Sequence, residues 1–170
     1  DFYHLKVAEC DAEIEKTIKI LESKSEPPTG TLDKLKQTTR RKNEMHFDVR
    51  EELFRLAGVD LTKIDGINGH TALKIVSEIG IDMSRWPTVK HFTSWLGLAP
   101  GTKISGGKVL SSATKKCANK ASSALRMAAQ TLHHSHSYLG AFLRKKKSQL
   151  GSPKAITATA HKLANVVYLM

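Results

Sequence analysis

Apolar residues recur three and four positions apart along most of this chain, and no window offers a convincing strand. Leu32, Leu35, Thr39, Lys42, His46, Val49, Leu53 and Leu56 follow the spacing of a coiled-coil seam, with a polar middle in which Lys42 and His46 would fix register. Upstream, Val7, Ile14 and Leu21 stand seven apart, with Ala8 and Ile18 on adjoining positions and neither Gly nor Pro between residues 2 and 23. That pattern predicts an amphipathic helix. Ser25-Glu26-Pro27-Pro28-Thr29-Gly30 separates the two runs, because proline lacks an N–H and excludes helical geometry from its predecessor. Residues 1–57 are therefore expected to form an antiparallel helical hairpin, closed within the chain or against a second copy, and the fold class is all-α. A spacer with no part in recognition is the plainer reading of this stretch.

Charge divides the chain more sharply than periodicity does. Residues 1–60 carry 11 Lys/Arg against 13 Asp/Glu, whereas residues 61–170 carry 16 Lys/Arg against Asp65, Glu78 and Asp82 alone. After Asp82 no carboxylate follows, while 14 Lys/Arg do. A surface that needed only solubility would mix both signs, so this stretch points to a polyanionic partner, nucleic acid foremost. A basic ribosome-associated or membrane-surface domain is the alternative, but no basic amphipathic helix with an aromatic face supports the membrane version. The longest uncharged window, Met127 to Leu143, holds three histidines, a glutamine and two serines and is no transmembrane helix. Cys10 and Cys117 are isolated, which argues against disulfides or a cysteine zinc site and fits the cytoplasm. Because it starts inside a helical pattern and ends in an apolar run, the chain is expected to be a fragment of something longer.

Beyond Gly58 the pattern changes. Leu61 to Gly80 has an apolar approach, then Gly66-Ile67-Asn68-Gly69, then a helix with Ala72, Ile75, Val76 and Ile79 on one face. The string resembles a helix-hairpin-helix motif, in which glycines let backbone N–H groups meet a phosphate where the helix dipole also favours an anion. Gly66, Asn68, Gly69, His70 and Lys74 are the candidate contacts, and an αα corner with a Gly-rich turn is the structural alternative.

Val89, Phe92, Trp95, Leu96 and Leu98 are spaced for a buried face, so Trp86 and Trp95 are assigned to the core rather than to base stacking. Leu98 to Lys108 is expected to be a flexible, basic, Gly-rich loop. It is no P-loop, since the interval from Gly101 to Gly107-Lys108 is one residue too long and Val109 replaces the Ser/Thr. A helix is predicted from Ala113 to Leu132 with Lys115, Lys116, Lys120 and Arg126 on its polar surface, followed by helices near 135–147 and 153–169. His133-His134-Ser135-His136 lacks a cysteine or carboxylate companion and is taken as a solvent- or DNA-facing element, with no metal site assigned. Arg144-Lys145-Lys146-Lys147 either satisfies a helix end or follows a phosphate backbone.

Taken in order, Gly66-Ile67-Asn68-Gly69, Glu78-Ile79-Gly80, Trp95-Leu96-Gly97-Leu98-Ala99-Pro100, Ser105-Gly106-Gly107-Lys108, Thr114-Lys115, Asn119 and Leu125 to Ala128 resemble the insertion-sequence transposases of the IS one-ten family, over roughly residues 58–170. The resemblance implies a basic C-terminal transposase domain, with residues 1–57 placed like the family's linker. It further implies a preceding RuvC-like domain that binds magnesium through four acidic residues, and a nucleophilic serine, which falls on Ser105. DNA would be the substrate, a homodimer or higher homo-oligomer the working form, and in some members a structured RNA acts as guide. No cofactor is expected within residues 1–170 themselves. This chain reads Ser111-Ser112-Ala113-Thr114-Lys115-Lys116-Cys117-Ala118-Asn119 where the family has a glycine-rich string, and Ser111 and Ser112 are the alternative nucleophiles. Lys103 and Lys108 could balance charge developing on phosphorus, and the amides of Gly106 and Gly107 could approach a phosphate closely. The rival reading, from a different class, is a non-catalytic DNA- or RNA-binding module. A coiled-coil assembly protein is a third.

Overall fold

The computed structural model describes residues 2–23, 32 and 45–170. The chain divides into two compact units, Asp1–Leu61 and Thr62–Met170.

In the first unit, helix α1 (Phe2–Ile20) and helix α2 (Val49–Ala57) are joined by a guanidinium. Arg55 on α2 donates to the carbonyl oxygens of Ile18 (2.7 Å) and Leu21 (3.0 Å) and to Ser23 Oγ (2.5 Å), while its Nε holds Glu52 at 3.0 Å. A cation thus binds carbonyls at the end of α1, where the helix dipole favours positive charge. Arg50 grips the buried Asp60 through Nε and Nη2. Asp48 caps α2 by accepting from the N–H groups of Arg50 and Glu51, and Gly58 ends it at φ +75°. The long helix expected through Leu56 is interrupted, because residues 45–48 are not helical and Asp48 starts a new helix at Val49. His46 is therefore not a seam position of that helix; Leu35, Thr39 and Lys42 lie outside the described residues.

The second unit is built on small residues. Helix α3 (Gly69–Ile79) buries Ala72, Ile75, Val76 and Ile79, as its spacing predicts. It packs on α5 (Lys120–Thr131), which packs in turn on α7 (Ser152–Leu169). Ala121, Ala124, Ala128 and Ala129 of α5 and Ala155, Ala160 and Ala164 of α7 are buried, so the two backbones approach closely while Leu125 and Leu163 fill the space that remains. Helices α4 (Val89–Trp95) and α6 (Tyr138–Leu150) lie against α7. Phe92 is fully buried, with the rings of Trp86 at 5.0 Å and Tyr168 at 5.7 Å, and the Tyr168 hydroxyl donates to the Trp86 carbonyl at 2.8 Å. Trp95 joins this cluster but keeps 37% of its surface exposed, so only one of the two tryptophans is a core residue.

The chain is mostly helical, with two departures from expectation. Residues 103–111 contain two short strands rather than a loop. The helix expected from Ala113 begins only at Lys120, because Asn119 turns its side chain to accept from Ser122 N–H and so fixes the start there. Lys115 and Lys116 consequently precede the helix instead of lying on its surface.

Gly66, at φ +88°, is where the turn before α3 meets α5. A Cβ there would stand 2.7 Å from the Ala128 carbonyl oxygen and 3.1 Å from the Leu132 side chain. Gly66→Ala should therefore lose about 1–3 kcal/mol of stability, from overpacking together with left-handed strain, in a urea titration. An unchanged midpoint would show that the turn does not need this approach.

Candidate nucleic-acid interface

Lys103-Ile104-Ser105 and Lys108-Val109-Leu110-Ser111 flank a Gly-Gly pair, and they fold as antiparallel strands β1 (Lys103–Ser105) and β2 (Lys108–Ser111). Ser105 pairs with Lys108 and Ile104 with Val109; an irregularity beside Lys103, which pairs with Ser111, leaves Leu110 over. Gly106 (φ 55°) and Gly107 (φ 74°) form the turn, both in the left-handed region that a type I′ hairpin requires. Nothing lies within 4 Å of a Cβ at either, so glycine serves the dihedrals there and not a close contact. Gly101 N–H donates to Ala113 O at 3.0 Å, and Pro100 bridges to Thr114, closing the base of the hairpin.

Directly paired residues share a face, which sets Ser105 beside Lys108 and puts Ile104 with Val109 on the other side. The whole hairpin stands in solvent, with Ile104 at 64% and Val109 at 62% exposure. Among the described residues the Ser105 hydroxyl has no hydrogen-bond partner, base or carboxylate. Ser111 Oγ instead accepts from Ala113 N–H at 3.3 Å, so its oxygen is occupied in shaping the chain after β2.

The expected phosphate clamp before α3 has a different construction. Its first arm is a single 3₁₀ turn, Leu61–Lys63, and the Asn68 side chain accepts from Thr71 N–H at 2.8 Å to cap α3. Gly66 faces α5, as above, and Gly69 is the first helical residue, without a positive φ. Asn68, His70 and Lys74 are exposed and Gly69 is half-buried.

Lys103, Lys108, Lys115, Lys116 and Lys120 are exposed, and no carboxylate pairs with them among the described residues. Arg126 on α5 is half-buried, and its Nε is shielded from solvent without a hydrogen-bond partner. In α6 the four consecutive cations differ in employment. Arg144 Nη1 donates to the carbonyls of His133 and Ser135, Lys146 reaches Gln149 Oε1 at 3.2 Å, Lys147 lies 3.3 Å from His133 Nε2, and Lys145 extends into solvent. Among the described residues no group of three His, Cys, Asp or Glu could hold a metal ion, and no helix is long and apolar enough to cross a membrane.

Residues 58–144 match the family model described as Transposase IS116/IS110/IS902 family. No curated protein and no solved structure matches the chain.

Since the hairpin buries nothing of its own, its turn can be broken without unfolding the unit. Gly107→Val is expected to raise amide hydrogen exchange throughout residues 103–111 while leaving the thermal midpoint within a few degrees. A large loss of midpoint would mean that the hairpin supports the helices.

Proposed function

The chain belongs to the transposase IS116/IS110/IS902 family, and from that membership we propose that Thr62–Met170 binds DNA through its uncompensated cations and presents Ser105 as the nucleophile that cuts and exchanges strands. One observation carries the reading: the serine sits at the corner of an exposed, glycine-turned hairpin, its backbone paired with Lys108 and its hydroxyl without a hydrogen-bond partner among the described residues. A hydroxyl so placed can approach phosphorus, and Lys108, its cross-strand partner, can supply an ammonium to balance charge developing in the transition state. In the step itself the Ser105 Oγ–P bond forms and one P–O bond to deoxyribose breaks. The serine proton passes to a base and the departing sugar oxygen takes up a proton. A phosphodiester to the protein replaces the one cut, so the step can be reversed onto a new strand end.

Asp65, Glu78 and Asp82 are the only carboxylates of this unit, and they lie on different elements without forming a ligand group. The resemblance places magnesium in the preceding RuvC-like domain, so no step is routed through a metal here. The base that activates Ser105 is assigned to the RuvC-like domain of a longer parent protein. We assign Lys103, Lys108, Lys115, Lys116, Lys120 and Arg126, the turn at Gly66, Asn68, Gly69, His70 and Lys74, and the tract from Arg144 to Lys147 to contacts with the phosphate backbone, which position DNA without reading its sequence. The first unit is assigned to assembly, a reading supported by the exposed Phe2, Leu5, Val7, Ile20 and Leu21. The absence of a base beside Ser105 favours one alternative, a module that binds nucleic acid without catalysis.

Two measurements test these readings, the first the DNA binding that both require and the second the catalysis that divides them. Binding of the 170-residue chain to random duplex should weaken with salt, log affinity falling by about 0.9 per phosphate contact for each decade of salt. A flat titration would sink the DNA assignment. In the parent protein, Ser105→Ala should abolish a covalent protein–DNA adduct with binding nearly intact, and peptide mapping of the trapped wild-type complex should find the linkage at residue 105. Full recombination by Ser105→Ala, or a linkage mapped to Ser111 or Ser112, would show that the nucleophile is another residue, and recombination without any covalent adduct would leave the binding module as the correct reading.

A further inference from the structure

Helix α6 comes unusually near the 3₁₀ turn Leu132–His134, and Gly140 is the reason. A Cβ there would stand 2.9 Å from the Leu132 carbonyl oxygen and closer still to that of Ser135. Across this contact Arg144 Nη1 donates to the carbonyls of His133 (3.0 Å) and Ser135 (2.7 Å), which ties the turn to the helix. Lys147 Nζ then lies 3.3 Å from His133 Nε2, and the His134 ring meets that of His133 edge-on at 4.7 Å. Four groups able to carry positive charge meet in one exposed corner. The charged groups that act on His133 are Lys147 and Arg144 from α6 and His134 from its own turn; no carboxylate does.

An ammonium can donate to an imidazole nitrogen only while that nitrogen is unprotonated, so Lys147 favours neutral His133 with its proton on Nδ1. The Lys147 charge is the largest influence holding His133 below its ordinary 6.5, followed by burial and then by His134 and Arg144. An anion between the two side chains reverses this preference, since a phosphate oxygen accepts from both Lys147 and protonated His133.

We propose that this corner is a phosphate site in which Lys147 and His133 together hold a phosphodiester of nucleic acid, His133 taking up one proton as the phosphate docks. Arg144, through Nη1 alone, also keeps the corner closed by way of the two carbonyls. The site rests on the reading that the chain binds DNA. The same chemistry would accept free inorganic phosphate, but the 14 Lys/Arg that follow Asp82 without an intervening carboxylate favour a polyanion.

The test is an NMR titration of the His133 imidazole in the 170-residue chain, alone, with inorganic phosphate, and with saturating random-sequence duplex. The free midpoint should lie below 6.5 and rise in duplex. Duplex affinity should increase up to about tenfold per pH unit as pH falls between the two midpoints. His133→Gln should remove that share of the pH dependence and keep the salt dependence, and Lys147→Met should return the free midpoint toward 6.5. A His133 midpoint unmoved by duplex that is demonstrably bound overturns the site and leaves the DNA reading standing. A shift with inorganic phosphate but not with duplex overturns the nucleic-acid source. Absence of duplex binding at every pH and salt concentration overturns both.

Discussion

Residues 83–170 fold without a single carboxylate, so no ion pair within that stretch can hold one element to another. What remains is apolar packing and neutral hydrogen-bond acceptors. The alanine-lined contact between α5 and α7 supplies the first, and carbonyl, hydroxyl and ring acceptors supply the second. Arg144 is spent on two carbonyl oxygens, and Lys162 donates to the Tyr138 hydroxyl at 2.7 Å while lying over the rings of Tyr138 and Phe142. Each arrangement satisfies a donor and leaves its charge uncancelled. The first unit behaves oppositely, pairing Arg50 with Asp60 and Arg55 with Glu52.

That imbalance connects fold to function. Like charges gathered on a compact unit repel one another, and an external polyanion relieves the repulsion as it binds. The hairpin fits the same logic. Its turn glycines, exposed serine and Lys108 contribute nothing visible to the core, which is the expected condition of a segment kept for a partner.

The sequence conveyed the helices wherever apolar spacing decides them. Ala72, Ile75, Val76 and Ile79 lie buried on α3 as their intervals require, and α6 and α7 fall close to the expected ranges. It misled where a single polar side chain fixes a boundary: Asn119 starts α5 seven residues later than alanine content suggests, and Asp48 starts α2 beyond His46. The β-hairpin is legible as a signal, because Gly-Gly between runs containing Ile, Val and Ser marks a two-residue turn, although the same glycines and lysines also fit a flexible loop. The partnership of Gly66 with the Ala128 carbonyl, and that of Arg144 with His133 and Ser135, join residues whose meeting depends on tertiary packing, so no local pattern announces them.

The uncancelled charge of the second unit can be measured directly. Trp86 and Trp95 are the chain's two tryptophans and both lie in Thr62–Met170, so thermal unfolding followed by tryptophan fluorescence reports on that unit alone. Sodium chloride raised from about 10 to about 200 mM shortens the Debye length from roughly 30 to under 10 Å, which screens repulsion between exposed cations. A midpoint that climbs over this range is the result expected of a domain whose cations await a polyanion. A midpoint that falls would mean that attractive ion pairs dominate the unit, and would contradict the assignment of its cations to DNA.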